Sequence, residues 1–223
     1  MRKSQVATNL SPKTIQAKPV VVDTPSVLSS RLYALTSRAV IRADAMGLLH
    51  APTAAPERQS ALGRFTLLDV LNTARSAGIA RALSAPSDPS DGTRWEGLAI
   101  DLLEALEESP LPHTEWSGLE RVLGADLLAV LVGISPSSLR RYAADARPTP
   151  DDVAARLHHV ALIVGDLSGS YNDIGVRRWF TRPRSQLDGR APAALLEGVW
   201  DPWSDGPTQV RELAAALLGA PAT

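Results

Sequence analysis

Residues 127–142 read Leu-Leu-Ala-Val-Leu-Val-Gly-Ile-Ser-Pro-Ser-Ser-Leu-Arg-Arg-Tyr, and the spacing predicts two helices that cross at a tight turn. Ala129 is small where the helices cross, and Gly133, four residues on, stands where the chain turns without Cβ strain. Ile134 and Leu139 supply the apolar anchors that hold the second helix on the first. Ser135 caps that helix, and Pro136 takes its first position, where a missing N–H costs nothing. This is the pattern of a helix-turn-helix. Its outward positions are Ser137, Ser138, Arg140, Arg141 and Ala144. Guanidinium forks bind guanine edges or phosphates and hydroxyls bind phosphates, so Ser137, Ser138, Arg140 and Arg141 are the expected DNA-binding residues. A tri-helical folding or dimerisation scaffold is the alternative, because the same Ala/Gly/Ile/Leu spacing fits many helical hairpins.

Downstream, Thr149, Pro150, Asp151 and Asp152 give a cap, a proline and two carboxylates to start a further helix. Val153, Leu157, Val160, Ala161 and Val164 form its apolar stripe. His158 and His159 are adjacent, point to different faces and cannot make an i, i+4 metal pair. Each reads as a surface or hydrogen-bonded histidine, His50 and His113 are isolated, and no metal site is expected. Residues 169–180 predict a capped helix that ends at Arg182-Pro183, with Trp179 and Phe180 as core because they follow Tyr171 and Ile174 to Val176 along one amphipathic helix. A turn at Leu187-Asp188-Gly189-Arg190, a short helix over 191–196 and a last helix from Pro207 to Leu218, stopped at Gly219, complete the chain. Trp200 and Trp203 flank a proline in a turn and are either core plugs or interface anchors.

Upstream, Val27, Leu32, Leu35, Val40, Ile41 and Met46 predict a helix from Pro25 to about Leu49, followed by a loop at Pro52 and Pro56. Phe65 to Leu83 predicts a second helix with Gly78 as its weak point. A loop over 86–92 leads to a third, capped by Thr93, which buries Trp95, Leu98, Ile100, Leu102, Leu103 and Leu106. Its acidic residues Glu96, Asp101, Glu104, Glu107 and Glu108 read as a solvated outer face, with docking of a basic partner as the alternative. The β-branched cluster Val20, Val21 and Val22 is the one place for a short strand. Pro110 and Pro112 mark the main boundary. The expected fold is all-α: a flexible basic tail over 1–24, an N-terminal helical region over 25–110, a helix-turn-helix unit over 112–167 and a small helical module over 168–223.

Composition narrows the function. The 223 residues carry 23 Lys/Arg against 24 Asp/Glu, so no global field draws the chain to nucleic acid or membrane and any such binding needs a local patch. With no cysteine there is no disulfide, thiolate metal site or cysteine nucleophile. No apolar run reaches the roughly 20 residues of a membrane span, and the first residues do not read as a secretion signal, which fits a cytoplasmic protein. Phosphate-binding glycine loops, a zinc-protease His-Glu-x-x-His and a nucleophile elbow are all missing, so neither catalysis nor a cofactor is expected.

Over about residues 114–223 the chain resembles the Xre/MbcA/ParS-type antitoxins of RES-domain toxin systems. The residues that carry the likeness are the helix-turn-helix, Trp179, the Leu187-Asp188-Gly189 loop with Pro192 and Leu195, and the Val210/Leu213/Leu217 helix. The resemblance implies a protein that masks an NAD-consuming toxin and represses its own operon. Expected partners are the cognate toxin, an operator duplex and a second copy of the chain. On this reading the toxin-facing surface holds Arg177, Arg178, Arg182, Arg184, Arg190, Trp200 and Trp203, with the short tail after Gly219. The 110 or so extra N-terminal residues, the turn at Trp200 to Pro207 and the Arg-rich stretch Arg177 to Arg190 depart from the family pattern. A stand-alone DNA-binding regulator and a helical protein-binding adaptor are the alternatives.

Overall fold

The computed structural model describes residues 29–49 and 65–218. The expectations for the basic tail, the Val20–Val22 strand, His50, the Pro52 and Pro56 loop, Gly219 and the final tail lie outside these residues. Among the described residues the chain is all-α: ten helices and two short 3-10 turns, with no strand.

Helix α1 spans Ser30–Ala45 and α2 Leu67–Ser76. Ser29 caps α1 by accepting from the Leu32 amide. Thr66 and Asp69 cap α2 reciprocally, each side chain accepting from the other's backbone N–H. Helix α2 stops well short of Leu83, because Gly78 follows it at φ +92, a conformation that breaks the helix. Helix α3 (Gly92–Glu108) starts from Asp91, whose carboxylate accepts from the Arg94 amide, so Asp91 and not Thr93 is the cap.

Helices α4 (Pro112–Leu123), α5 (Ala125–Val132) and α6 (Pro136–Ala143) follow the proline break. Helix α7 (Asp151–Ser168) begins on Pro150 without a side-chain cap, since Thr149 accepts a hydrogen bond from the Trp116 indole instead. The chain ends in α8 (Asp173–Thr181), α9 (Pro192–Leu195) and α10 (Asp205–Ala215), with 3-10 turns at Ser185–Leu187 and Ala216–Leu218.

Helix α7 is the axis of the molecule. It packs against α1, α4, α5, α8 and α10, and all but one of the residues from Val153 to Leu167 are buried, so the apolar stripe read from the sequence widens to nearly the whole circumference. The hydrophobic cluster runs without interruption from α1 and α3, across the break at Pro110, into α4 to α10. One close approach seals that join. Gly47 and Gly118 lie backbone to backbone, and a Cβ on either would overlap main-chain atoms of the other segment. Beside it Arg121 donates to both the backbone carbonyl and the carboxylate of Asp44 at the end of α1. A guanidinium there meets the negative end of the helix dipole.

Candidate nucleic-acid and partner-binding surfaces

Two helices joined by three residues stand where the sequence places them. Gly133 closes α5 in the left-handed conformation, φ +71, and its amide hydrogen bonds to the Val130 carbonyl. Ser135 caps α6 through the Ser138 amide at 3.1 Å, with Pro136 next. Leu139 and Tyr142 are buried, and Tyr142 stacks on Trp116 at 6.0 Å between ring centroids. These anchors fix the rotation of α6, so Ser137, Arg140 and Arg141 face solvent and Ser138 is half-buried. The Ser135 hydroxyl lies 2.9 Å from that of Ser137 and 3.0 Å from that of Ser138 at the positive end of the helix. Neither Arg140 nor Arg141 pairs with a carboxylate among the described residues. The helix therefore presents two uncommitted guanidinium groups beside donors suited to phosphate.

The two tryptophans separate. Trp200 is a plug: its indole N–H donates to the Leu131 carbonyl at 3.0 Å, and its ring meets His159 edge-on at 5.4 Å. Arg156, itself buried, donates to the Val132 carbonyl, to the Trp200 carbonyl and to Asp152. The end of α5 is thus capped by a side chain from α7 and by the 198–200 segment together. Gly198 lies so near that a Cβ on Gly133 would overlap its carbonyl oxygen. Trp203, three residues after this plug, is 89% exposed, and Val199, one residue before it, is 84% exposed. The expected anchor role at Trp200 is therefore corrected, because its ring and N–H are consumed inside the fold.

The arginine cluster divides in the same way. Arg177 donates to the Val122 carbonyl at the end of α4, and Arg184 lies over the Trp179 ring at 5.3 Å while donating to the Trp179 carbonyl. Both hold the fold. Arg178, Arg182 and Arg190 are exposed. Trp179 and Phe180 are core as expected, in edge contact at 5.3 Å. Tyr171 and Ile174 are not, since α8 begins only at Asp173 and turns Ile174 outward at 55% exposure.

The most heavily charged interior seam joins the N-terminal helices to α7. Arg42, 1% exposed, donates to Asp166 and to Glu107 at 3.0 Å each, and Glu107 also accepts from Arg211 on α10 at 2.7 Å. Partial burial pushes the Glu107 carboxyl up, but Arg211 and Arg42 more than offset it and hold it below the usual carboxylate range. So Glu107 is no idle member of a solvated face, and Glu96 likewise accepts from Ser29 and lies near Arg31. His158 bonds through its two ring nitrogens to Glu115 and the Glu107 carbonyl. His159 donates to the Pro207 carbonyl, and burial holds its imidazole down to about 4. Both histidines are satisfied and on different faces, as the sequence suggests. Among the described residues no group of three or more His, Asp or Glu is placed to hold a metal, and no helix is long and apolar enough to cross a membrane.

No family model, no curated protein and no solved structure matches this chain. The residues that sequence reasoning missed are Arg42, Arg156 and Asp166. The signal was present in kind, since three charged residues lie in otherwise apolar helix faces, but their partners stand far away in the chain.

Proposed function

We propose that the chain is a DNA-binding regulator that reads duplex DNA through α6 as a dimer. The observation that carries this reading is the exposed Arg140/Arg141 pair, without a carboxylate partner among the described residues, on a helix whose rotation is fixed by buried Leu139 and Tyr142. Helix-turn-helix readers lay such a helix in the major groove. Two copies then meet half-sites about one helical turn apart. Ser137 and Ser138 at the start of α6 reach phosphate, and the arginines reach guanine edges or phosphate. The test is gel-shift binding to the duplex upstream of the chain's own reading frame, with an unrelated duplex of equal length as control. Preferential binding supports the reading, and equal binding to both removes it.

The antitoxin function is the second reading, supported by the resemblance of residues 114–223 and by the exposed apolar knob at Val199 and Trp203. Here the module over 168–223 masks an NAD-consuming toxin while α6 represses the operon. Truncation is a poor probe of it. Val210 and Ala214 of α10 are buried against the rest of the molecule, so removing residues 206–223 would open the core. Co-expression of the intact chain with the product of the adjacent reading frame is the sound experiment: restored growth supports masking, and undiminished toxicity excludes it.

A further inference from the structure

The turn after α9 combines a rigid base with an apolar, acidic tip. Its base is Trp200, pinned to Leu131, and the Gly198 carbonyl, packed on Gly133. Its tip exposes Val199 and Trp203 with the carboxylates of Glu197, Asp201 and Asp205 around them, and no cation lies between residues 191 and 210. Asp201 also fixes the tip by accepting from the Trp203 amide at 2.9 Å. An indole held outward on a braced turn gives up its hydration at little entropic cost when a partner covers it, which is the setting of an interface hot spot.

Arg178 on α8, Arg182 at its end and Arg190 precede this tip in the chain, and the four-residue α9 with its flanking residues separates Arg190 from Glu197. Within one copy, none of these three arginines pairs with any of the three carboxylates. Exposed arginines and exposed carboxylates that do not pair within one copy, carried by the same module, let that surface complement itself under a two-fold rotation, where each charge set meets the other's opposite. We infer that two copies of this chain associate through residues 197–205, the Val199/Trp203 tip and its carboxylates on each copy seating against Arg178, Arg182 and Arg190 of the other. The contact deepens the dimeric DNA-binding reading. The tip is braced on the α5–α6 turn through Gly198 and Trp200, so its carboxylates repel a phosphate backbone approaching there, and arginines from the second copy neutralise them. Because the tip is braced on that turn, the same contact sets the spacing of the two α6 helices.

The test is the molar mass of the full-length chain by light scattering and sedimentation across micromolar concentrations. The wild type runs as a dimer whose dissociation increases with salt. Val199→Ser with Trp203→Ala, both at exposed positions, weakens association about tenfold or more. Glu197→Arg and Arg190→Glu each weaken it, and the two changes together restore it, an outcome that misfolding cannot produce. A monomeric wild type overturns the inference and leaves the tip to a different protein. So does a dimer that survives loss of Val199 and Trp203. A dimer that behaves as stated yet binds no upstream duplex keeps this contact and removes the DNA reading, while a monomer that binds the duplex specifically does the reverse.

Discussion

Arg42 and Arg140 carry the same guanidinium in opposite settings. Arg42 sits in the seam between α1, α3 and α7 with two carboxylates at 3.0 Å, whereas Arg140 stands on the outer face of α6 with none among the described residues. A buried guanidinium must be paired or it destabilises the fold, so its partners come with it. An exposed guanidinium needs no partner to be stable, so one that the fold leaves unpaired is free for a ligand. The interior seam and the α6 surface thus differ in what a lost charge should cost: stability in the first, binding in the second.

The largest effect is expected at the seam. Arg42→Ala leaves Asp166, 2% exposed, facing only the outlying Arg38 at 4.0 Å, and should cost about 3–5 kcal/mol in urea unfolding. A loss under about 1 kcal/mol would mean that water reaches Asp166 and that the seam is no seam. The tryptophans repeat the contrast. Trp200→Ala empties a plug and removes a hydrogen bond to Leu131, for a loss of about 3 kcal/mol or more. Trp203→Ala, at 89% exposure, should change stability by less than about 0.5 kcal/mol. Equal losses at the two sites would erase the distinction between plug and tip.

The contrast also explains what the sequence can reveal. The α5–α6 turn was legible because its determinants are local: Gly133 at positive φ, Ser135 and Pro136 as a start signal, and Leu139 one turn on. The near-complete burial of α7 was not. Arg156, His158, His159 and Asp166 interrupt its apolar periodicity, and the groups that satisfy them stand as far as 124 residues away, as Arg42 does from Asp166. The same holds for Trp200 and Trp203, alike in composition and flanked by the same proline. Tertiary partners decide which indole turns in: the Leu131 carbonyl, 69 residues from Trp200, and the His159 ring. Thr149 shows the converse, a good local cap diverted by a tertiary partner, the Trp116 indole.

A pH series sharpens the interior side of the comparison. In the folded chain His159 takes up its proton only at about 4, against 6.5 for an ordinary imidazole, chiefly because burial disfavours the charged ring. Between these values the unfolded chain binds more protons, so stability falls as pH drops from about 6.5 towards 4 and this contribution levels off below. The full shift corresponds to at most about 3 kcal/mol. His159→Gln should lose stability at neutral pH yet show a flatter acid limb in guanidinium titrations. Parallel wild-type and variant limbs would place the acid sensitivity elsewhere.

The smallest effect on stability and the most direct test of the account meet at α6. Arg140→Ala with Arg141→Ala should move the urea midpoint by less than the equivalent of about 0.5 kcal/mol, because both side chains are exposed and neither pairs with a carboxylate among the described residues. The decisive measurement is fluorescence anisotropy of the upstream duplex against salt for wild type and double variant. Each arginine on a phosphate releases about one counterion. The slope of log affinity against log salt should therefore become shallower by about two for each copy bound, with affinity reduced at every salt concentration. The same affinity and slope in a variant that folds like the wild type would contradict the assignment of α6 as the DNA-reading helix.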